Sequence, residues 1–585
     1  MVSVDELFKK PLAAASAKRK LDTTKDPNEL YKAAKLDAND DVKSKGKAPM
    51  VEDEEEDDGE AGPELPPDFE SDDIPDDDEG RFFGGGMERE TAQAMNYIDE
   101  QDKSDFEDEK YDVAWLRRFA LNFERKISKN AELRGKFEND PQKFMASEAD
   151  LDTEIKSLSI LSEHPELYHE FAKLGCVGSL ISLMSHENAD IAIGAIQIIG
   201  ELTDEDVEAE QEQWDVLVNA MLDVDLIELL AQNLSRLDES SDADRIGVYF
   251  ILSLLENLAS QNSIAEKIGQ DSNTMPWLLA RIQKKENPVS QNQQYSAEIL
   301  AILLQSGSKN RDRFIGLDGI EILLQLLSQY RKRDPEKDSE EAEYAENLFD
   351  CLTGLVDEDA GKEKFLEGEG IELAQIMLKE GKFSKLRALR VLDHALGGLG
   401  GAPSCERLIE AAGLRTIFSM FMRKQENQIT EHLLGIFGSL LRLLPGGSAP
   451  RIRTLAKFME KDYEKTEKLV KLRRDYASRV SPVEQAIEKE RRNFAKEEQE
   501  VMEGEWLSRR FDAGLFSLQL IDVIMAWLVA EDDGAKKKVT SLLSDRDEDL
   551  SLIRRTLQEQ TEGLSEDEPG EKDHKEMLQT LLQFL

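Results

Sequence analysis

The residues best placed to do chemistry in this chain are polar side chains set into apolar runs. Glu256 and Asn257 interrupt Leu254-Leu255-Glu256-Asn257-Leu258-Ala259, and Glu346-Asn347 is followed by Leu348-Phe349-Asp350. Glu298, Asp393 and His394 sit in comparable surroundings. A carboxylate in such a place can pair with Lys or Arg of a bound chain. An Asn amide offers a donor and an acceptor together, which suits an extended peptide backbone. The expected chemistry is recognition of a basic peptide segment. Its candidate groove residues are Glu256, Asn257, Glu298, Glu346, Asn347, Asp350, Asp393 and His394. The plainer alternative is that these residues form solvated polar faces or local helix hydrogen bonds.

Catalytic spacing is missing. There is no G-x-x-x-x-G-K-[ST] phosphate loop, no H-E-x-x-H metal motif and no G-x-S-x-G nucleophile elbow. The glycines at 397, 398, 400 and 401 follow a helical pattern and precede Pro403, so they read as a loop. The six histidines are scattered, with His164 and His169 five apart. Cys176, Cys351 and Cys405 are too far apart for a zinc site or disulfide framework and suit a reducing compartment. The expectation is no enzyme, no cofactor and no metal.

The elements that position the polar residues are short helices. One line of an approximate repeat reads Leu174-Gly175-Cys176-Val177-Gly178-Ser179-Leu180-Ile181. Others are Asp225-Leu226-Ile227-Glu228-Leu229, Asp318-Gly319-Ile320-Glu321-Ile322, Glu369-Gly370-Ile371-Glu372-Leu373 and Ala412-Gly413-Leu414-Arg415-Thr416. Matched positions recur roughly every 43 to 51 residues, near the armadillo and HEAT period. In this reading a Gly ends one short helix and allows a sharp turn, and an apolar second helix follows. A third helix comes about ten residues later, for example over 248–258, 345–355 and 386–396. Stacked third helices would line a concave groove. The fold class is all-α, a right-handed armadillo/HEAT-type superhelical solenoid with helical caps. Residues 111–150 are the expected N-terminal cap, 151–445 about six repeats, and 451–585 a C-terminal helical cap. Ser481-Pro482 marks an expected helix break. The most apolar stretch, 515–529, is interrupted by Ser517, Gln519 and Asp522 and is too short to span a membrane.

Charge limits the partners. The chain carries a formal net charge of −48 over 585 residues. That field repels nucleic acid and anionic lipid and favours basic partners. Residues 1–110 read as a disordered tail, because they hold too few apolar residues to offset chain entropy. Lys18, Arg19 and Lys20 form a basic cluster that reads as a nuclear-import signal. From Glu52 to Glu79 there are 17 acidic residues and no Lys or Arg.

Ordered segments across most of the chain resemble a known family. They include Asn122-Phe123-Glu124-Arg125-Lys126, Asp140-Pro141-Gln142-Lys143-Phe144, Arg236-Leu237-Asp238-Glu239-Ser240, Val391-Leu392-Asp393-His394-Ala395 and Arg509-Arg510-Phe511-Asp512-Ala513-Gly514. The chain resembles the beta-catenin-like nuclear armadillo proteins associated with the spliceosome. The resemblance implies a nuclear, non-enzymatic scaffold of pre-mRNA splicing, associated with the nineteen complex. It implies contact with a Myb-domain splicing factor through basic, nuclear-localisation-like segments. Self-association is open. The alternative is an import-adaptor-like carrier of basic cargo, which the lack of a regular Trp and Asn ladder disfavours.

Overall fold

A computed structural model describes residues 110–564 and 569–585. Among these residues there is no strand, and the backbone forms an all-α solenoid of armadillo type. The cluster Lys18, Arg19 and Lys20 and the acidic run lie outside the described residues.

The chain enters through α1 (Val113–Lys136) and α2 (Met145–Ser157). Six three-helix units follow. The first holds α3 (Tyr168–Lys173), α4 (Cys176–Ser182) and α5 (Ala189–Leu202). The second holds α6 (Gln211–Leu222), α7 (Leu226–Arg236) and α8 (Asp242–Ala259). The third holds α9 (Asn262–Gln270), α10 (Thr274–Gln283) and α11 (Gln291–Ser306). The fourth holds α12 (Ser308–Gly316), α13 (Gly319–Leu327) and α14 (Glu340–Leu355). The fifth holds α15 (Asp359–Glu367), α16 (Gly370–Glu380) and α17 (Phe383–Leu396). The sixth holds α18 (Ala402–Glu410), α19 (Gly413–Met422) and α20 (Asn427–Leu443).

The corner between first and second helices differs from the sequence reading in a specific way. At Gly175 the glycine itself takes the left-handed conformation, with φ of 77°. Elsewhere the residue before the helix takes it: Asp225 (61°), Asp318 (57°), Glu369 (58°) and Ala412 (59°). The glycines at 319, 370 and 413 are the first helical residues. Their role is steric. A Cβ on Gly370 would lie 2.2 Å from the Phe365 ring, and one on Gly319 would lie 2.1 Å from Phe314. The preceding helix therefore seats its last aromatic side chain against bare backbone.

Third helices carry the core. α8 buries Val248, Ile251, Leu252, Leu255 and Leu258, and α14 buries Leu348, Phe349, Leu352 and Leu355. Each such side chain contributes about 1.5–3 kcal/mol when removed from water, and no single unit can bury its stripe alone. The third helices stack in order from α5 to α20. At one end α2 packs on α5.

The other end is closed by α21 (Ala449–Arg491), α22 (Lys496–Asp512), α23 (Leu515–Glu531), α24 (Asp533–Ser544), α25 (Ser551–Gly563) and α26 (Pro569–Leu582). α23 stacks on α20 and extends the ladder. Among the described residues no single helix is long and apolar enough to cross a membrane. The break expected at Ser481-Pro482 is absent, because the helix runs through Pro482. Buried Val480 and Ile487 pin both sides of the proline to the core. The chain instead turns at Lys461, Asp462 and Tyr463, all left-handed, where the Tyr463 hydroxyl donates to Asp532 at 2.8 Å.

Candidate partner-binding groove

The eight polar candidates lie on third helices, and four of them, Glu256, Glu346, Asp350 and Asp393, bond to the next unit. Glu256 on α8 accepts a hydrogen bond from the Tyr295 hydroxyl on α11. Asn257 donates back to the Gly200 carbonyl on α5 at 3.1 Å and to the Thr203 hydroxyl at 3.3 Å. Glu298 accepts from Gln294 at 3.0 Å within α11. Glu346 and Asp350 on α14 pair with Arg387 and Arg390 on α17. Asp393 receives His432 of α20 at 3.0 Å, and His394 meets Asp357 at 2.8 Å. Asn347 is half-buried, and no hydrogen bond engages its amide among the described residues.

The electrostatics follow this geometry. Burial pushes the Asp350 carboxyl above its usual range, and the charge of Arg390 opposes that shift without cancelling it. At His394 burial lowers the imidazole. The hydrogen bond and charge of Asp357, with Asp393 nearby, outweigh it and hold the group above its ordinary value. Gly435 is needed here because a Cβ would lie 2.2 Å from Asp393 Oδ1.

The structure thus divides the predicted set. Glu346, Asp350 and Asp393 face cationic or histidine partners supplied by the following unit. Among the bonds that Glu256 and Glu298 accept are those from the Tyr295 hydroxyl and the Gln294 amide. The third helices α5, α8, α11 and α14 together carry 11 acidic residues and one cation, Arg245. Arg245 is itself paired with Asp242 at 2.8 Å. No group of three or more His, Cys, Asp or Glu side chains is arranged to hold a metal among the described residues. The three thiols are buried, and burial pushes Cys176 and Cys405 up to about 12.

Residues 92–558 match the family described as catenin-beta-like, Arm-motif containing nuclear. The chain belongs to this family. It is 39% identical over 492 residues to the beta-catenin-like protein 1 homolog of Schizosaccharomyces pombe, covering 84% of this chain and 86% of that protein. It is 37% identical over 490 residues to beta-catenin-like protein 1 of Homo sapiens, covering 81% and 86%. Among solved structures, a chain from work on a phosphorylation switch controlling the interaction between cadherin and beta-catenin aligns at 13% identity. Its TM-score is 0.39, over 84% of this chain and 96% of that one.

Within this family member the residues missed from sequence are the partners: Tyr295, Arg387, Arg390 and His432. A signal for them exists. Each lies 39 to 41 residues after the acid it meets. Complementary side chains one third-helix interval apart mark unit-to-unit bonds, which single-helix patterning does not detect.

Proposed function

We propose that this family member is a non-enzymatic nuclear scaffold of the pre-mRNA splicing machinery, associated with the nineteen complex. It binds basic, nuclear-localisation-like segments of splicing proteins, such as a Myb-domain factor, along its third-helix ladder. The observation that carries the basic-segment reading is the charge of α5, α8, α11 and α14: one Arg against 11 acids, of which Asp242, Glu341, Glu346 and Asp350 are already ion-paired. A segment rich in Lys and Arg laid across these helices gains charge-assisted hydrogen bonds. Asn347 offers an amide for the segment's backbone. Membership in a nuclear Arm-motif family supports the compartment and the scaffold role.

The test has two parts. A tagged full-length protein is recovered from RNase-treated nuclear extract, and its companions are identified by mass spectrometry. Nineteen-complex proteins are expected; transport factors alone would favour the import-adaptor reading. Titration with a Lys/Arg-rich peptide is then compared in the wild type and in the Glu256→Gln/Glu298→Gln variant. We expect about tenfold weaker binding in the variant and a flatter salt dependence. Equal binding at low and high salt by the wild type would remove the acidic-groove reading.

A further inference from the structure

A second concavity lies away from the third-helix ladder, between the second helices of units four and five. It is an open cleft of about 600 Å³ between α13 and α16. Leu324, Leu373 and Ile376 supply apolar surface to it. Ile376 is 38% exposed.

The rim is acidic. Asp318, Glu321 and Glu369 line it, and no ion pair within 4.0 Å engages any of the three among the described residues. Among the described residues Glu321 accepts the neutral Gln325 amide, at 3.1 Å. Two other lining carboxylates are ion-paired, Glu367 with Lys364 at 2.9 Å and Glu372 with Arg407 at 2.5 Å. Arg331 and Lys364 stand at the edge as opposing charges, and Lys364 is near enough to Asp318 to feel its charge. Asp318 and Glu369 are the left-handed corner residues that precede α13 and α16. The fold's own corners thus fix two carboxylates at the same end of the cleft.

We propose that this cleft is a second docking site, for a basic amphipathic helix of a partner protein. The nine residues of α13 run for about 14 Å, enough to align two to three turns of a docked helix. Apolar side chains one turn apart on that helix enter over Leu324, Leu373 and Ile376, in the helix-in-groove mode. Lys or Arg on its flank meets Asp318, Glu321 and Glu369. Charge complementarity selects the occupant. A second copy of a chain with net charge −48 brings mostly carboxylates to an acidic rim and is repelled.

The probe is a labelled helical peptide of about 18 residues, with Leu at i, i+3, i+4 and i+7 and Arg on both flanks. Two controls carry Glu for Arg, or Ala for Leu. Binding to the full-length protein is measured by anisotropy and located by hydrogen exchange. The Leu/Arg peptide is expected to protect α13 and α16, and both controls to bind at least tenfold more weakly. Ile376→Asp, and separately Glu321→Lys/Glu369→Lys, are expected to weaken it about tenfold, while Glu256→Gln/Glu298→Gln changes it less than twofold. All these substitutions except the groove pair sit at exposed positions, and unchanged melting temperatures verify the fold. Protection confined to the third helices, or sensitivity to the groove pair alone, would overturn the second site and leave the groove reading standing. A dimer by sedimentation that Ile376→Asp abolishes would overturn the assignment to a partner helix.

Discussion

At the residue scale, the strongest single commitment is in the C-terminal cap. Arg473 on α21 donates to Asp522 on α23 through Nε at 2.7 Å and Nη2 at 3.1 Å, and Asp522 is fully buried. Removing one partner strands a buried charge, so Asp522→Asn is expected to cost about 3–5 kcal/mol. Arg473→Met/Asp522→Leu, which removes both charges, is expected to recover most of it. A denaturant midpoint for Asp522→Asn within about 1 kcal/mol of wild type would contradict this. His574 on α26 makes a pH-dependent contribution. Burial, joined by the charge of Arg442, pushes its imidazole down to about 4, and its buried Nε2 meets no hydrogen-bond partner among the described residues. As pH falls from the ordinary value of 6.5 toward 4, the unfolded state takes a proton that the folded state refuses. Docking of α26 therefore weakens in that window, by up to about 3 kcal/mol at its lower end. Protection factors of the α26 amides, corrected for the intrinsic exchange rate, should fall between pH 7 and pH 5, and His574→Gln should flatten that response. The groove candidates were legible as residue types. Their engagement with Arg387, Arg390, Tyr295 and His432 was not, because it depends on which residues of the next unit stand opposite.

At the element scale, the recurring corner sets the angle between first and second helices. Ala412 holds φ of 59° there, a conformation that costs a residue with a Cβ roughly 1–2 kcal/mol. Ala412→Gly is expected to raise stability by about 0.5–1 kcal/mol, the relief of strain being partly offset by the freer unfolded chain. Its neighbour should respond oppositely. A Cβ on Gly413 would lie 2.5 Å from Leu408 Cδ1 and 2.8 Å from the Leu408 carbonyl oxygen, so Gly413→Ala should cost about 1–3 kcal/mol. Thermal melts of the two variants that moved in the same direction would refute the division of roles. The sequence placed third helices well, because their apolar periodicity is continuous. It misplaced the left-handed residue by one position and read Pro482 as a break. Both are decided by burial of neighbours, Phe365 and Leu408 in one case and Val480 and Ile487 in the other, which a linear pattern does not contain.

At the scale of the described solenoid, the ends matter as much as the units. α23 packs on the last third helix, where Leu520 Cδ1 lies 3.0 Å from the position of a Cβ on Gly438, and its Ile521, Ile524, Met525 and Leu528 are fully or almost fully buried. Phe458 of α21 joins Phe418 and Phe437 of unit six, with ring centroids 4.9 and 5.4 Å apart. A chain ending after Leu444 should therefore expose the core of unit six, bind a hydrophobic dye and aggregate. A monodisperse, dye-silent fragment by light scattering would show that unit six caps itself. The stretch 515–529, judged too short for a membrane, owes its apolar character to this capping position. Sequence alone determined the helical class, the repeat period and the acidic field, because each is a sum over many residues and tolerates local error. Only the tertiary structure decided which carboxylates hold neighbouring units. That choice turns on single side chains some 40 residues apart, brought within a few ångströms by the stacking of one helix on the next.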